Sequence, residues 1–418
     1  MKKYFILTIA LLFVAGIAYA EGETFTTSGQ YRMEMYDLKA LGNSDEDANH
    51  QTFIDQRFRA QFNWMPADGV KAVLRGDFAE TTWGGMDAAE FDPLVDNTEG
   101  SGGIGYRPNQ GAGTVMIDKA YVDLTKEIIN FRVGLYGHGG FGNAIVNDNQ
   151  GANIWVTGDF APVTVDVLYT KLDEGNALTD DAETDDSDKD TDLYGAQVSF
   201  GADAFKAGAF YVTMVDDAAE DTKNAIGLFG SSTLGKISFW GEIDLFSGAD
   251  DANDIDYVGT NVTLNGEMAI MEKLTAGLDL FWAAGSTDDG EEQIAWITDD
   301  WGYTPFDHGP FHWIQSTGID NHEIEDNAGS TGLNVYGTFG VVEDLTLYGN
   351  VGYILPSEED PDDDNIYVEN YTVFSVGATY FLLPKTSFNL KYENVSVSGS
   401  NIEDDAQTKI MGMLKVSF

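Results

Sequence analysis

The chain predicts an all-β fold, a transmembrane antiparallel up-and-down β-barrel of about eighteen strands, and three observations predict it. Apolar residues recur at every second position through eighteen segments, the period of a strand with one apolar face. The connections between these segments alternate between short and long. The chain begins with an export signal, and no later segment approaches 18 uninterrupted apolar residues, which excludes a helical membrane protein. Barrel strands alternate and escape hydropathy scans.

The N-terminus is read first. Lys2 and Lys3 form a charged region, Tyr4 to Ala15 an apolar core, and Ala18-Tyr19-Ala20 a small-x-small cleavage site, so residues 1–20 are expected to be a signal peptide. The apolar stretch is shorter than the roughly 20 residues of a spanning helix. Residues 21–418 are expected to form one barrel, with no plug or passenger before the first strand.

The alternating segments are about 24–38, 52–64, 69–82, 114–125, 129–137, 152–159, 162–171, 192–201, 205–215, 223–231, 235–247, 256–265, 273–284, 330–341, 344–356, 368–382, 386–398 and 406–418. Sixteen strands is the alternative, because the 266–272 connection is irregular. Short connections include 65–68, 126–128, 160–161, 201–204, 342–343 and 383–385; long ones include 39–51, 83–113, 138–151, 172–191, 248–255, 285–329 and 357–367. Transmembrane barrels have short periplasmic turns and long outer loops, whereas a soluble β-sandwich has no reason to sort its loops by length. Both termini then lie on the periplasmic side.

Each strand also sorts chemically into two faces. Ile54, Phe58, Ala60, Phe62 and Trp64 share a parity, broken by Gln56, against Asp55, Arg57, Arg59, Gln61 and Asn63. A charged lumen and an apolar lipid face give this pattern. Alternation alone does not say which face is inside; the export signal and the C-terminus argue for charge within.

Composition excludes several function classes. Formal net charge is -48, and loss of Lys2 and Lys3 takes it to -50, so no nucleic-acid partner is expected. There is no Cys, hence no disulfide framework, haem attachment or thiolate metal site. The acidic runs at 172–192, 247–256 and 356–364 read as solvated loops. Residues 186–192 (DSDKDTD) space carboxylates as calcium loops do, but the Gly at the sixth place and the acid at the twelfth are missing, so an EF-hand is not expected. No cofactor and no metal centre are expected, loose Ca2+ or Mg2+ bridging by the acidic loops aside. His308 and His312 flank Gly309-Pro310, which argues against a helix that would aim both imidazoles at one metal. No Ser/His/Asp grouping can be picked out, and no enzyme is expected.

The last ten residues, Lys409 to Phe418 (KIMGMLKVSF), place Ile410, Leu414, Val416 and Phe418 on one parity. A strand ending in a free C-terminal Phe resembles the closing strand and assembly signal of Gram-negative outer-membrane barrels. Together with Ser28 to Tyr36 (SGQYRMEMY), Ala120 to Leu124 (AYVDL) and Phe131 to Gly137 (FRVGLYG), the chain resembles the outer-membrane porin superfamily over its mature length. That resemblance implies a homotrimer in the cell outer membrane, inserted by the barrel assembly machinery among lipid and lipopolysaccharide. It also implies passive diffusion of small hydrophilic solutes and ions, and a third long loop folded inward as a constriction. The acidic PEFGG-like motif of the general porins is absent, so their eyelet is not carried over.

All six Arg lie between positions 32 and 132. Arg32, Arg57, Arg59, Arg75 and Arg132, with Lys71 and Lys119, fall on the parity opposite the apolar one and are expected to form a pore-lining basic wall. They could equally pair with Glu34, Asp55, Asp77 and Asp123 simply to neutralise the interior. Asn147, Asp148 and Asn149 in loop 138–151 are the candidate constriction groups facing that wall, and Leu414, Val416 and Phe418 the assembly signal. Acidic loops around the mouth argue for weak cation preference despite the internal cations. A channel selective for sugars or another small nutrient, with the aromatic-rich loop 285–329 stacking on solute, stays open, as does a structural or adhesive barrel.

Overall fold

The structure is a computed structural model that describes residues 24–39, 50–83, 116–137, 141, 150–173, 190–202, 204–216, 220–252, 255–284, 291–293, 330–356, 367–400 and 406–418. The proposed signal peptide lies outside the described residues. Nineteen strands form one sheet: Thr24–Lys39 (β1), His50–Ala67 (β2), Val70–Trp83 (β3), Met116–Lys126 (β4), Ile129–Gly137 (β5), Gln150–Phe160 (β6), Val163–Asp173 (β7), Thr191–Ala202 (β8), Phe205–Asp216 (β9), Asp221–Leu234 (β10), Ile237–Asp250 (β11), Ile255–Met271 (β12), Leu274–Ala283 (β13), Glu291–Gln293 (β14), Ser330–Val342 (β15), Leu345–Pro356 (β16), Tyr367–Leu383 (β17), Thr386–Ser400 (β18) and Ala406–Ser417 (β19).

Eighteen of these are antiparallel neighbours in chain order, and β19 pairs with β1 from Gln30↔Ser417 to Lys39↔Thr408. That pairing removes both sheet edges and closes the barrel. The exception is β14, three residues inside the segment read from sequence as a loop. It lies parallel to Asp256–Val258 of β12, beyond the point where β13 ends opposite Asn261, so it occupies the edge that the shorter β13 leaves open. The irregular 266–272 connection is mostly strand, because β12 runs on to Met271 before a two-residue turn.

Hairpins at one end are tight. Asp68-Gly69 joins β2 to β3 with Gly69 at φ 76°, a left-handed conformation that suits glycine, and its carbonyl accepts the Thr125 amide at 2.6 Å. In several strands the two faces part by chemistry. In β18, Phe388, Leu390 and Tyr392 are exposed while Asn389, Lys391 and Glu393 are buried. In β11, Ile243 and Leu245 are exposed while Glu242 and Asp244 are buried. A water-soluble barrel would show the reverse, so the apolar face is the outer one and suits hydrocarbon.

Phe418 completes the seam. Its amide and carbonyl exchange hydrogen bonds of 3.1 Å with Gly29, and its ring stacks on Phe58 with centroids 5.8 Å apart. A Cβ on Gly29 would stand 2.3 Å from that ring, so glycine there makes room for the terminal aromatic. Leu414 and Val416, opposite Met33 and Tyr31, belong to the same outer parity.

Candidate functional site: the lumen

The interior divides into three sectors. The first runs from β18 across the seam to β5 and carries the cations. Arg32 and Arg57 face each other across β1 and β2 and are both buried; Arg32 lies 3.2 Å from Glu34. Arg59 makes a two-pronged contact with Asp77 at 2.7 Å and reaches Asp118 at 3.2 Å. Arg75 bonds the same Asp118. Arg132 holds Asp123 at 2.5 Å and lies over the rings of Tyr121 and Tyr136 at 4.8 and 5.3 Å. Lys71 stands opposite Asp123 and Lys119 opposite Arg75. The structure thus brings all seven sequence-derived cations to one contiguous stretch of inner wall, interleaved with carboxylates. Asp55 is in β2 opposite Glu34; its side chain lies outside the described residues.

Strict parity misses Asp118, because it would place that residue on the lipid face. The β3–β4 register shifts between Arg75 and Gly76, which pair with Lys119 and Ile117, and the extra residue turns inward as a bulge. A carboxylate predicted to face lipid was the available signal. The basic wall also extends past β1, because barrel closure sets the last strands beside the first. Lys391, Lys409 and Lys415 continue it: Lys391 contacts Glu393 at 2.9 Å, Lys409 lies 3.9 Å from Glu393, and Lys415 stands opposite Arg32.

The second sector, the inner face of β6 to β10, is largely apolar toward the loop end. Leu168, Leu193, Phe210, Val212, Met214 and Ala225 cluster there with Phe246 and Tyr257 of the next two strands. Phe141, from the connection after β5, is completely buried in this cluster and stacks on Trp155 at 5.4 Å. Gly195 supplies the space, since a Cβ there would come within 2.8 Å of the Phe141 ring. Asn147, Asp148 and Asn149 lie outside the described residues, as do His308, His312 and the aromatic residues of 294–329. Of the acidic run 186–192, Asp190 and Asp192 are described, and both pair with Lys171. Near the turn end the same wall opens into a recess of about 690 Å3 lined by Asp166, Gln197, Ser199, Lys206, Trp240 and Asn265 among others.

The third sector, β11 to β17, is acidic at one edge and amide-rich beyond it. Glu242, Asp244, Asn261, Thr263 and Asp279 are buried. The Asn265 and Asn334 side-chain amides donate to Asp279, Asn350 donates to Asn334 at 3.1 Å, and the Ser375 hydroxyl donates to Asn350. This hydrogen-bonded belt crosses five strands, and none of its members is a cation. Counting round eighteen strands, β11 is diametrically opposite β2, so Glu242 and Asp244 face the Arg57 and Arg59 side of the lumen.

No protein-family model matches the chain, and no curated protein matches it by sequence. Solved structures share its fold. The Pseudomonas aeruginosa channel OccK9 (OpdG) superposes with a TM-score of 0.60 at 11% identity, covering 94% of this chain and 98% of the other. OpdK from the same organism, determined with vanillate, gives 0.57 at 12% identity over 94% and 99%. OccK2 (OpdF), in complex with glucuronate, gives 0.57 at 10% over 94% and 98%. This chain has the fold of an outer-membrane channel. At such identities the likeness concerns architecture, and the lumen has to be read from its own residues.

Proposed function

We propose that the protein is an outer-membrane porin, a water-filled channel for passive diffusion of small hydrophilic solutes and ions, and that its lumen orients solutes by charge. The observation that carries this reading is the opposition of the β18-to-β5 cations to Glu242 and Asp244 across the barrel. Oriented fixed charges act on a solute confined between them more strongly than in bulk water. An anionic or dipolar solute would cross with its carboxylate along Arg57, Arg59 and Arg75. Two channels of the same fold were determined with carboxylate compounds, vanillate and glucuronate, which supports a carboxylate-bearing nutrient as the selective form of the reading.

For simple ions the expected preference is weakly cationic, because the excess acid of the chain, -48 overall, collects in runs that make up several of the long connections. The test is liposome swelling with a graded solute series. Smooth exclusion by size means general diffusion, and one saturable carboxylate means selectivity. A homotrimer surrounded by lipopolysaccharide is part of the proposal. Gln56, the polar exception on the outer face, accepts a hydrogen bond from Tyr31 at 3.2 Å, and an amide is costly against lipid; a protomer contact over β1 and β2 would cover it.

A further inference from the structure

The recess near the turn end differs from the rest of the lumen in what lines it. It reaches from Asp166 of β7 to Asn265 of β12 and encloses about 690 Å3, within the roughly 300–1,000 Å3 of small-molecule sites. Small inward residues hollow the wall there. Ser199 and Gly201 of β8 stand opposite Gly208 and Lys206 of β9, and Ser231 of β10 stands between Lys206 and Trp240 of β11. A Cβ on Gly201 would meet nothing within 4 Å. Toward the loop end the Phe229 ring takes the space that a side chain on Gly208 would need, 2.3 Å from where its Cβ would be.

The polar groups of the recess are held in place by the wall behind them. Asp166 is buried, and its Oδ1 accepts the Trp155 indole N–H at 3.0 Å and the Thr157 hydroxyl at 2.6 Å, which leaves Oδ2 to accept from a ligand. Asn265, opposite Trp240, donates both amide hydrogens, to Asp279 and to the Tyr336 hydroxyl at 3.1 Å, which leaves its carbonyl oxygen as an acceptor. Between these flanks the Ser199 and Ser231 hydroxyls can each donate and accept, and half-buried Trp240 adds an indole face. Acceptors fixed in advance bind a hydroxyl without the cost of ordering themselves.

The chemistry of the ligand follows from this lining. Its charged members are Asp159, Asp166 and Lys206, so an anion gains no net attraction. An apolar molecule would leave the carboxylate and the amide oxygen unpaired. A sugar ring carries hydroxyls round its edge that donate and accept, and C–H faces that lie against an indole. The strands β7 to β12 are six neighbours in the sheet, an arc of about 24 Å at the usual strand spacing, more than one sugar ring spans. We propose that the recess binds an uncharged linear oligosaccharide of two or three rings. It lies across the strands with one ring on Trp240 and hydroxyls bonded to Asp166 and Asn265. The site is separate from the basic arc and from the aromatic-rich loop 285–329. Binding does not require conduction, so the site stands independently of the channel reading.

The test is titration calorimetry on the full chain in a detergent without a sugar headgroup. Maltotriose, cellotriose and glucose are the probes, with triglycine as a peptide of comparable length. Wild type is compared with Gly201→Phe, whose added ring enters the open space of the recess, and with Trp240→Ala. The expected result is one saturable site for at least one of the trisaccharides, with glucose bound more weakly. Gly201→Phe abolishes that binding, and Trp240→Ala weakens it about tenfold, the order of one lost aromatic contact. Trp240→Ala decides the matter if Gly201→Phe fails to fold. No saturable binding of either trisaccharide, or an affinity unchanged in the variants, overturns the proposal. Triglycine bound in their place assigns the recess to peptides and overturns it as well.

Discussion

The β18-to-β5 wall and the β6-to-β10 wall of the same lumen solve different problems with the same strand geometry. In the first, charged side chains recur on the inner face of every strand, with Val73, Met411 and Met413 among them, and the cations outnumber the carboxylates that hold them: Arg59 and Arg75 share Asp118, and Lys391 and Lys409 flank Glu393. In the second, the rungs toward the loop end are Leu, Val, Met and Phe, and they take up Phe141 from the loop after β5. One wall presents surplus charge to the barrel interior. The other offers the loop an apolar anchorage, since burying an aromatic ring stabilises it by a few kcal/mol (about 3 at most for full burial). The difference teaches that the interior of such a barrel need not be uniformly polar: surplus charge and loop placement belong to separate arcs.

Substitutions in the two arcs should therefore separate stability from selectivity. The largest stability effect is expected from Phe210→Ala, which empties the centre of the apolar cluster and should cost about 3–5 kcal/mol. Denaturant-induced unfolding would measure it, and ion selectivity should stay at the wild-type value. Close behind comes Lys391→Met. Lys391 is fully buried against Glu393, and breaking a buried pair from one side costs roughly 3 kcal/mol or more; a loss below about 0.5 kcal/mol would mean that water reaches the pair.

The basic arc should answer differently to removal of its acids. Asp118→Asn takes away the carboxylate shared by Arg59 and Arg75; Arg59 keeps its two-pronged contact with Asp77, the wall gains one net positive charge, and the anion-to-cation permeability ratio should rise. One charge near the ion path is worth on the order of 1 kcal/mol, or roughly fivefold. A ratio that falls would break the assignment of this wall. Lys415→Gln, at the turn end opposite Arg32, should give the smallest effect. A slight drop in anion permeability that vanishes as salt is raised is expected, because Lys415 is only half-buried and a charge in contact with water is screened within about 8 Å at physiological ionic strength.

Most of the barrel was legible because period-2 alternation is a local property. Residues 129–137 and 205–215 in the sequence reading correspond to β5 and β9 with almost the same bounds. What escaped were features set by partners distant in the chain. Asp118 faces inward only because β3 and β4 slip register at Arg75, a fact about two strands. Lys391 and Lys409 join the basic wall only because β19 pairs with β1, and Glu242 and Asp244 gain an opposing wall only when eighteen strands close a circle. Phe141 carried no signal in its own neighbourhood; its burial depends on Gly195 and Trp155. One rule reads across the closure from sequence alone: the first and last strands of a barrel are neighbours.

Single-channel recording of the full chain in planar bilayers, under a salt gradient, tests the central claim most directly. The account predicts discrete open-channel conductance with a weakly cation-selective reversal potential that moves toward anions in Asp118→Asn. Insertion without conductance, or clear anion selectivity in the wild type, would contradict it.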